Sequence, residues 1–481
     1  MAKGEDWSTL APLGTFTLKL YERPDWVRRR VETVQLVDTS QVERSVTLDV
    51  DLGALSRMAA ESHLFGNPQP ARRNNTDMLV PVTLLPKTLL LDLDIRDASG
   101  KSLSLATSGE DATAAQAALI AKLDRLGEAA AELPQVILDN LYRVARLDPS
   151  FGDEQVILRR TKDRRVHAWN LEDSAIGSTE YILWLRLLGH RDFNELLSTF
   201  TLNYMPMIRL QPGDGSAVIR YRHTERQQPP SKGWLDALSL DAYQQLIQAP
   251  SVGSGGREHL RFVPPEGLFV EEFYLTPPAT GAANDPQPAA IVESVDPAPR
   301  MYMSRVTPER GIIYTTGMER LSGACEAIAL LRPRVTGFLR TAQYTVLLTT
   351  LLLIVGAIAQ FLGSRLSAAG TSAEAAATVL LIIPSTMSAF LAQAGEHELR
   401  SDLLRGPRVA VAASAAAAIC AAGAMVLQIT SWCLGLIWAT AALIGAVAYL
   451  LLLTICARSN TAFVQTSRLA GRTFAFDLDR S

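Results

Sequence analysis

Asp92 and Asp94 stand one residue apart, just after the apolar run Leu89 to Leu91. Carboxylates paired in this way can divide nucleophilic and acid–base work between them. Strand alternation accounts for the same residues, because Leu91, Leu93 and Ile95 fall on one face and Asp92, Asp94 and Arg96 on the other. The remaining groups with chemical potential are scattered. His63, His167, His190, His223, His259 and His397 include no pair at the spacing of a helical zinc motif or a zinc finger. No metal or other cofactor is expected. Ser251 to Arg257 is glycine-rich but lacks the Gly-Lys-Ser/Thr ending of a phosphate loop, and it reads as a flexible segment. Arg159 to Arg165 is a compact basic run without the stacking aromatics of a nucleic-acid interface. Docking on anionic lipid headgroups suits it better, and no nucleic-acid partner is expected.

The Asp92-Leu93-Asp94 triplet resembles the first motif of haloacid-dehalogenase-type phosphatases. That resemblance implies a first Asp that attacks phosphate and a second that acts as acid and base, making Asp92 and Asp94 the pair of a hydrolase. A small residue and a Thr normally follow in that family, whereas here Ile95 and Arg96 continue the strand pattern. No catalytic set is assigned beyond these two candidates.

The elements that must position any site divide into a membrane part and a soluble part. With 46 Lys plus Arg against 49 Asp plus Glu, the formal charge is -3, which excludes a polybasic nucleic-acid coat and a disordered acidic tail. Apolar density rises sharply after residue 341. Four stretches there, Tyr344 to Leu362, Ala375 to Ala392, Val409 to Leu427 and Trp432 to Cys456, contain no Asp, Glu, Lys or Arg. They reach the roughly 20 residues needed to cross a bilayer, so four spans are predicted. Arg332, Arg334, Arg340, Arg400, Arg405, Arg408, Arg458, Arg468, Arg472 and Arg480 flank them on one side, and Arg365 alone on the other. By the positive-inside rule both termini face the cytoplasm. The start of the chain shows no apolar run of a signal peptide. Cys325, Cys420, Cys433 and Cys456 leave the first 324 residues without a thiol, so neither a disulfide framework nor a Cys-based zinc site is expected there.

Two polar features belong to this region. Ser385, Thr386 and Ser388 follow Pro384, where hydroxyls can satisfy the backbone that a proline frees, and a kinked packing element is expected. Glu396, His397, Glu398 and Arg400 lie in the loop between the second and third stretches and are candidates for coupling the soluble domain to the membrane helices. The third stretch is nearly all small residues, which reads as a bundle hub or a homo-oligomer contact.

In the soluble part, alternation on either side of Asp38-Thr39-Ser40 predicts a hairpin, and a second strand unit leads to the turn residues Asp97 to Gly100. Ser108 with Asp111 suggests a capping box opening a helix, and Pro134 opens a second one. The apolar stripe of this helical hairpin should pack on a sheet. Tyr204 to Leu210 and Ala217 to Tyr221 read as a hairpin, Trp234 to Ile247 as a short helix, and Leu260 to Val263 with Leu268 to Leu275 as a strand pair. Further strands are predicted near Met301 to Val306 and Gly311 to Tyr314, and residues 176–203 fit helix or strand.

The run Leu84 to Asp97, followed far downstream by Gly395 to Leu399, resembles uncharacterised actinobacterial membrane proteins with an N-terminal cytoplasmic domain and four spans. The bias of 39 Arg to 7 Lys agrees with such a source. The resemblance implies no activity. The expected fold is α+β: a β-rich cytoplasmic domain with a helical hairpin, then a four-helix transmembrane bundle. Divisions are expected at 1–150, 151–333, 334–460 and 461–481. The expected function is a non-enzymatic binding or regulatory domain, acting as scaffold or sensor, with membrane lipids and a cytoplasmic protein as partners. The alternatives are a ligand-gated pore or membrane effector, and a membrane-tethered hydrolase.

Overall fold

Inward-facing positions two residues apart run through Val27–Leu36 and Gln41–Asp51, each alternating with more exposed neighbours. Period-two burial of this kind makes strands, and the two segments pair as the predicted hairpin from Leu36 opposite Val42 back to Val27 opposite Val50. The computed structural model describes residues 7–38, 40–64, 77–87, 91–146, 159–160, 166–167, 178–226, 241–249, 252, 255–276, 301–316, 325–363, 397–427, 429, 431–469 and 474–477.

Helix α1 (Trp7–Glu22) precedes β1 (Val27–Leu36), β2 (Gln41–Asp51), α2 (Leu52–Glu61), β3 (Met78–Pro81) and β4 (Leu91–Arg96). Helices α3 (Ser108–Arg125), α4 (Gln135–Arg146), α5 (Ser178–Gly189) and α6 (Arg191–Leu202) follow. Next come β5 (Met207–Leu210), β6 (Ser216–Arg226), β7 (Tyr243–Ala249), β8 (Arg257–Val263), β9 (Leu268–Thr276), β10 (Met301–Thr307), β11 (Arg310–Thr316) and β12 (Cys325–Pro333). The C-terminal part holds α7 (Phe338–Gly363), α8 (Glu398–Leu403), α9 (Arg405–Val426), α10 (Ser431–Leu469) and β13 (Phe474–Asp477).

The main sheet has the order β13-β10-β11-β8-β1-β2-β6-β4, and within it β1 and β8 alone pair in parallel. A second sheet, β7-β12-β9, is antiparallel. One half of the main sheet's inner face, with Val34, Leu260, Phe262 and Ile313, packs on this second sheet. The other half, with Val46, Leu48, Val50 and Ile219, packs under α1, α2 and the β3–β5 ladder. Helices α3 to α6 build a core of their own around Trp184, Phe193 and Phe200, each of which contributes about 2 kcal/mol by leaving water. The sheet draws strands from both sides of residue 150, because β1 and β2 pair with β8 and β6.

Several local expectations change. The cap of α3 is Thr107 with Glu110, one residue earlier than Ser108 with Asp111: Thr107 Oγ1 accepts from the Glu110 N–H and Glu110 Oε2 accepts from the Thr107 N–H. Its stripe meets helices rather than a sheet, and α1 approaches so closely that a Cβ on Gly14 would lie 2.3 Å from the Ala117 oxygen. Residues 178–189 and 191–202 are helical, with His190 extended between them. Met207–Leu210 and Ser216–Arg226 are strands but not a hairpin, since β5 pairs with β3 and β6 with β2. Likewise β8 and β9 lie in different sheets. Tyr243 to Ala249 is a strand, because Tyr243, Gln245, Ile247 and Ala249 are inward in alternation and the whole segment pairs with β12.

Three helices, α7, α9 and α10, are long and apolar enough to cross a membrane, with mean hydropathy 2.3, 2.1 and 2.3. They suggest a membrane protein with a soluble domain. They coincide with the first, third and fourth predicted stretches. The second, Ala375 to Ala392, lies outside the described residues together with Pro384, Ser385, Thr386, Ser388 and Glu396, so three helices of the expected four-helix bundle are observed. Phe338 and Leu404, at the starts of α7 and α9, share a cluster with Leu452 and Ile455 of α10. Leu353 and Met425, farther along α7 and α9, share another with Leu434 and Trp438. Helices α7 and α9 therefore run in the same direction and α10 runs back.

Candidate functional site

The inner face of the main sheet is apolar at both ends and ionic between. Arg30 and Glu32 of β1, Arg44 of β2, His223 and Glu225 of β6 and Glu258 of β8 are each at most 6% exposed. The registers align them across the sheet: Arg30 lies opposite Glu258, His223 opposite Arg44, and Glu258 opposite Thr315. Contacts follow the same line. Thr315 Oγ1 donates to Glu258 Oε2 at 3.0 Å and Arg30 Nη2 donates to Glu32 Oε2 at 2.7 Å. Arg44 bridges Glu32 Oε1 at 2.5 Å and Glu225 Oε1 at 2.6 Å. Tyr221 Oη lies 3.3 Å from Arg30 Nη2.

Burial works against the charges of Arg30, Glu32 and Arg44, and their neighbours reverse it. Tyr221, Glu32 and Glu258 raise the Arg30 pKa, and Glu225 and Glu32 raise that of Arg44. Arg30 and Arg44 lower the Glu32 pKa, whereas burial raises that of the Tyr221 hydroxyl. A buried ionic band of this size costs desolvation that an apolar seam would not, so stability alone gives no reason for it.

Two spaces open on the band. A small cavity is lined by Arg44, Tyr221, His223 and Glu225 together with Thr83 and Leu84. A cleft adjoins it through Arg30, Thr83 and Leu84 and is otherwise walled by groups such as Trp26, Leu48, Val82 and Met205. His223 stacks on Tyr221 with ring centroids 6.0 Å apart, and neither of its ring nitrogens has a hydrogen-bond partner. Lys87, also buried, is directed elsewhere: its Nζ donates to the Val144 carbonyl at 2.6 Å and lies over the Tyr204 ring.

Asp92 and Asp94 are not part of this arrangement. Asp94 Oδ2 accepts from Arg96 Nε at 2.6 Å with both side chains about half exposed, and Asp92 is exposed at φ +56° where the β4–β6 register slips. Neither lines the cavity or the cleft.

The loop candidates lie at the junction with the membrane helices. His397 Nε2 is 3.3 Å from the Leu36 carbonyl oxygen, and Nδ1 accepts from the Leu399 N–H at 3.2 Å. The proton therefore sits on Nε2, because a carbonyl can only accept. Leu399 and Leu403 enter the core between the two sheets. Arg400 passes so close to Gly267, at φ +84°, that a Cβ there would lie 2.6 Å from its Nε. Glu398 is exposed in the first turn of α8.

The ionic band was legible in principle. Arg30, Glu32 and Arg44 occupy the positions of Val34, Leu36, Val42 and Val46 in their alternation, and charges on an apolar face are the signal for a buried network. No family model matches this chain, and neither the curated proteins nor the solved structures include a significant match to it.

Proposed function

We propose that this chain is a four-crossing protein of the cell membrane that holds its N-terminal domain and both flanks in the cytoplasm as a binding or regulatory module. The supporting observation is where the chain re-enters the domain. Helix α7 leads away from the domain, yet α8 packs between the two sheets. A chain that leaves by α7 must cross once more before residue 397, and Ala375 to Ala392 has the length and composition to do so. With α9 leaving and α10 returning, the crossings number four. The ten-to-one arginine bias supports the cytoplasmic side. Ties at α8, α10 and β13 support a domain whose state is felt by the helices, rather than a cargo on a flexible linker. The resemblance of Leu84 to Asp97 and Gly395 to Leu399 supports kinship with the actinobacterial group.

Single cysteines introduced at Arg365, Gln428, Asp241 and Ser481 in a cysteine-free background test this reading with a membrane-impermeant maleimide. Those at 365 and 428 should label in intact cells, and those at 241 and 481 only after permeabilisation. Labelling of 481 in intact cells would overturn the orientation, and labelling of 428 only after permeabilisation would overturn the crossing number.

A further inference from the structure

We infer that the outward face of β10, β11, β8 and β1 docks an acidic, extended segment of another protein. The inference names the partner chemistry of the binding domain proposed above and rests on that reading, but not on the membrane orientation. Strand alternation turns Arg29 of β1, Arg257 and Arg261 of β8, Arg305 of β10 and Arg310 of β11 away from the core. The registers gather them: Arg305 lies opposite Ile312, Ile312 opposite Arg261, and Arg257 opposite Thr316. Four of the five are exposed and Arg261 is half-buried, with its Nε cut off from water and without a hydrogen-bond partner. Among the described residues none of the five is in an ion pair. No Asp or Glu takes an outward position in these four strands, because Glu32 and Glu258 both turn inward to the ionic band. The patch ends at β2, where Asp49 lies opposite Arg29 and Glu43 pairs with Arg222. Guanidinium groups collected on one face without carboxylates are complementary to an anionic partner.

The groups between the arginines select a protein segment among such partners. Met303, Tyr314, His259 and Val31 form one row across the four strands, with Met303 44% exposed. Arg, Tyr and Met are enriched where protein partners meet. Burial, Arg261 and Arg29 hold the His259 pKa below its usual value, so its ring adds contact rather than charge near neutral pH. The His259 and Tyr314 rings lie with centroids 4.8 Å apart and planes at 73°. At that angle they cannot both lie flat on the sheet as the stacking platforms that single-stranded nucleic acid uses. A lipid surface fits less well. Arg29 is seven residues along β1 from Leu36, about 23 Å, and Leu36 is where His397 marks the junction with the membrane helices. A bilayer at that junction meets one end of the patch, whereas an extended segment can follow its length.

The test uses the full-length protein in phosphatidylcholine nanodiscs and the fluorescence anisotropy of a fluorescein-labelled decaglutamate peptide. Labelled decaglutamine and decathymidylate at the same low ionic strength are the comparison probes. Decaglutamate should bind saturably and about tenfold more tightly than either. Arg257→Gln combined with Arg305→Gln should weaken it about tenfold, and each single change should give an intermediate loss. Arg57→Gln combined with Arg143→Gln removes the same charge from exposed positions on α2 and α4 and should leave binding unchanged. All four arginines are exposed, and the thermal unfolding midpoint checks that the variants fold. Equal losses in the two double variants would reduce the effect to bare charge and overturn the inference. So would tighter binding of the oligonucleotide than of the peptide, competition by phosphatidylglycerol vesicles that phosphatidylcholine vesicles do not show, or no saturable binding of decaglutamate. None of these results bears on the cysteine-labelling pattern, so the two readings fail separately.

Discussion

Phe463, six residues before the end of α10 at Leu469, meets Phe269 of β9 edge-to-face, with ring centroids 5.4 Å apart and planes at 89°. A helix of 39 residues is about 58 Å long, nearly twice the hydrocarbon thickness of a bilayer. Its last turns thus have length to spare for the soluble domain, and the aromatic pair fixes where they lie. Arg458, 3.6 Å from Asp241, adds an exposed ion pair on the same helix. Four residues after the helix ends, β13 begins and extends the main sheet along β10. Phe463→Ala should therefore increase amide exchange in β9 and at the β10 edge, with a loss of about 2 kcal/mol in the domain's unfolding free energy. Unchanged protection in both strands would show that the contact does not hold the domain.

The ionic band makes the sharpest stability prediction. Arg44→Met leaves Glu32 and Glu225 buried beside a thioether chain, and loss of one partner from a buried pair costs about 3–5 kcal/mol. Arg44→Met combined with Glu225→Met should lose less than the sum of the two single changes. Chemical denaturation of all four proteins gives the coupling, expected to exceed about 1 kcal/mol.

Asp111 gives the domain a pH dependence of opposite sense to the usual carboxylate. Burial pushes its pKa up to about 7, against the bond its Oδ1 accepts from the Met207 N–H at 3.1 Å. The folded state keeps the proton across the interval from the unfolded value, about 3.9, to about 7. Its contribution to stability is complete below that interval and falls as pH rises through it. Asp111→Asn retains the acceptor and cannot ionise. At pH 8 it should be more stable than the parent by on the order of 2 kcal/mol, with the gap closing toward pH 4. A gap independent of pH would count against the assignment.

In the membrane part, Gly356 of α7 lies against Trp438 of α10, where a Cβ would be 2.0 Å from Cζ3 of the indole. Gly356→Val should part the helices and cost about 1–3 kcal/mol. Gly423 of α9 has no atom within 4 Å of its Cβ position, so Gly423→Ala should be neutral. Denaturation in mixed micelles compares the two.

His397 joins a helix cap to a strand end, and both bonds are lost in His397→Ala. The expected cost is about 1 kcal/mol, with increased exchange at Leu399. His397→Asn should recover the cap while losing the reach to Leu36, which separates the two roles by exchange at the two sites.

Local signals in the sequence were sufficient wherever neighbours along the chain decide the outcome. The β1–β2 hairpin follows from alternation around three turn residues, and the apolar helices α7, α9 and α10 follow from composition, because a bilayer selects length and apolarity alone. The hairpin of α3 and α4 follows from their stripes, with its cap displaced by one residue because Thr107 and Glu110 satisfy each other better than Ser108 and Asp111. The short helix expected at Trp234 to Ile247 is overturned over Tyr243 to Ala249, where β12 as a partner settles a strand. Helix α1 has no apolar stripe marked enough to announce it, although Asp6 stands just before its first residue. Its position depends on the close approach of Gly14 to α3.

Pairing between distant segments belongs to the tertiary structure. Nothing within Phe474 to Asp477 announces that these residues complete a sheet begun at Val27, since an edge strand is specified by the free edge it meets. The same holds for the site. The sequence by itself determined that the segments around Asp38-Thr39-Ser40 alternate as strands, that the chain carries membrane-length apolar stretches, and that Asp92 and Asp94 lie on a strand. Only the tertiary structure decided that Asp94 pairs with Arg96 outside the cavity, while Glu225 and His223, some 180 residues from Arg44, close the buried band. Alternation tells which way a side chain points, but strand order decides what it meets, and strand order is set by which apolar faces can be covered together.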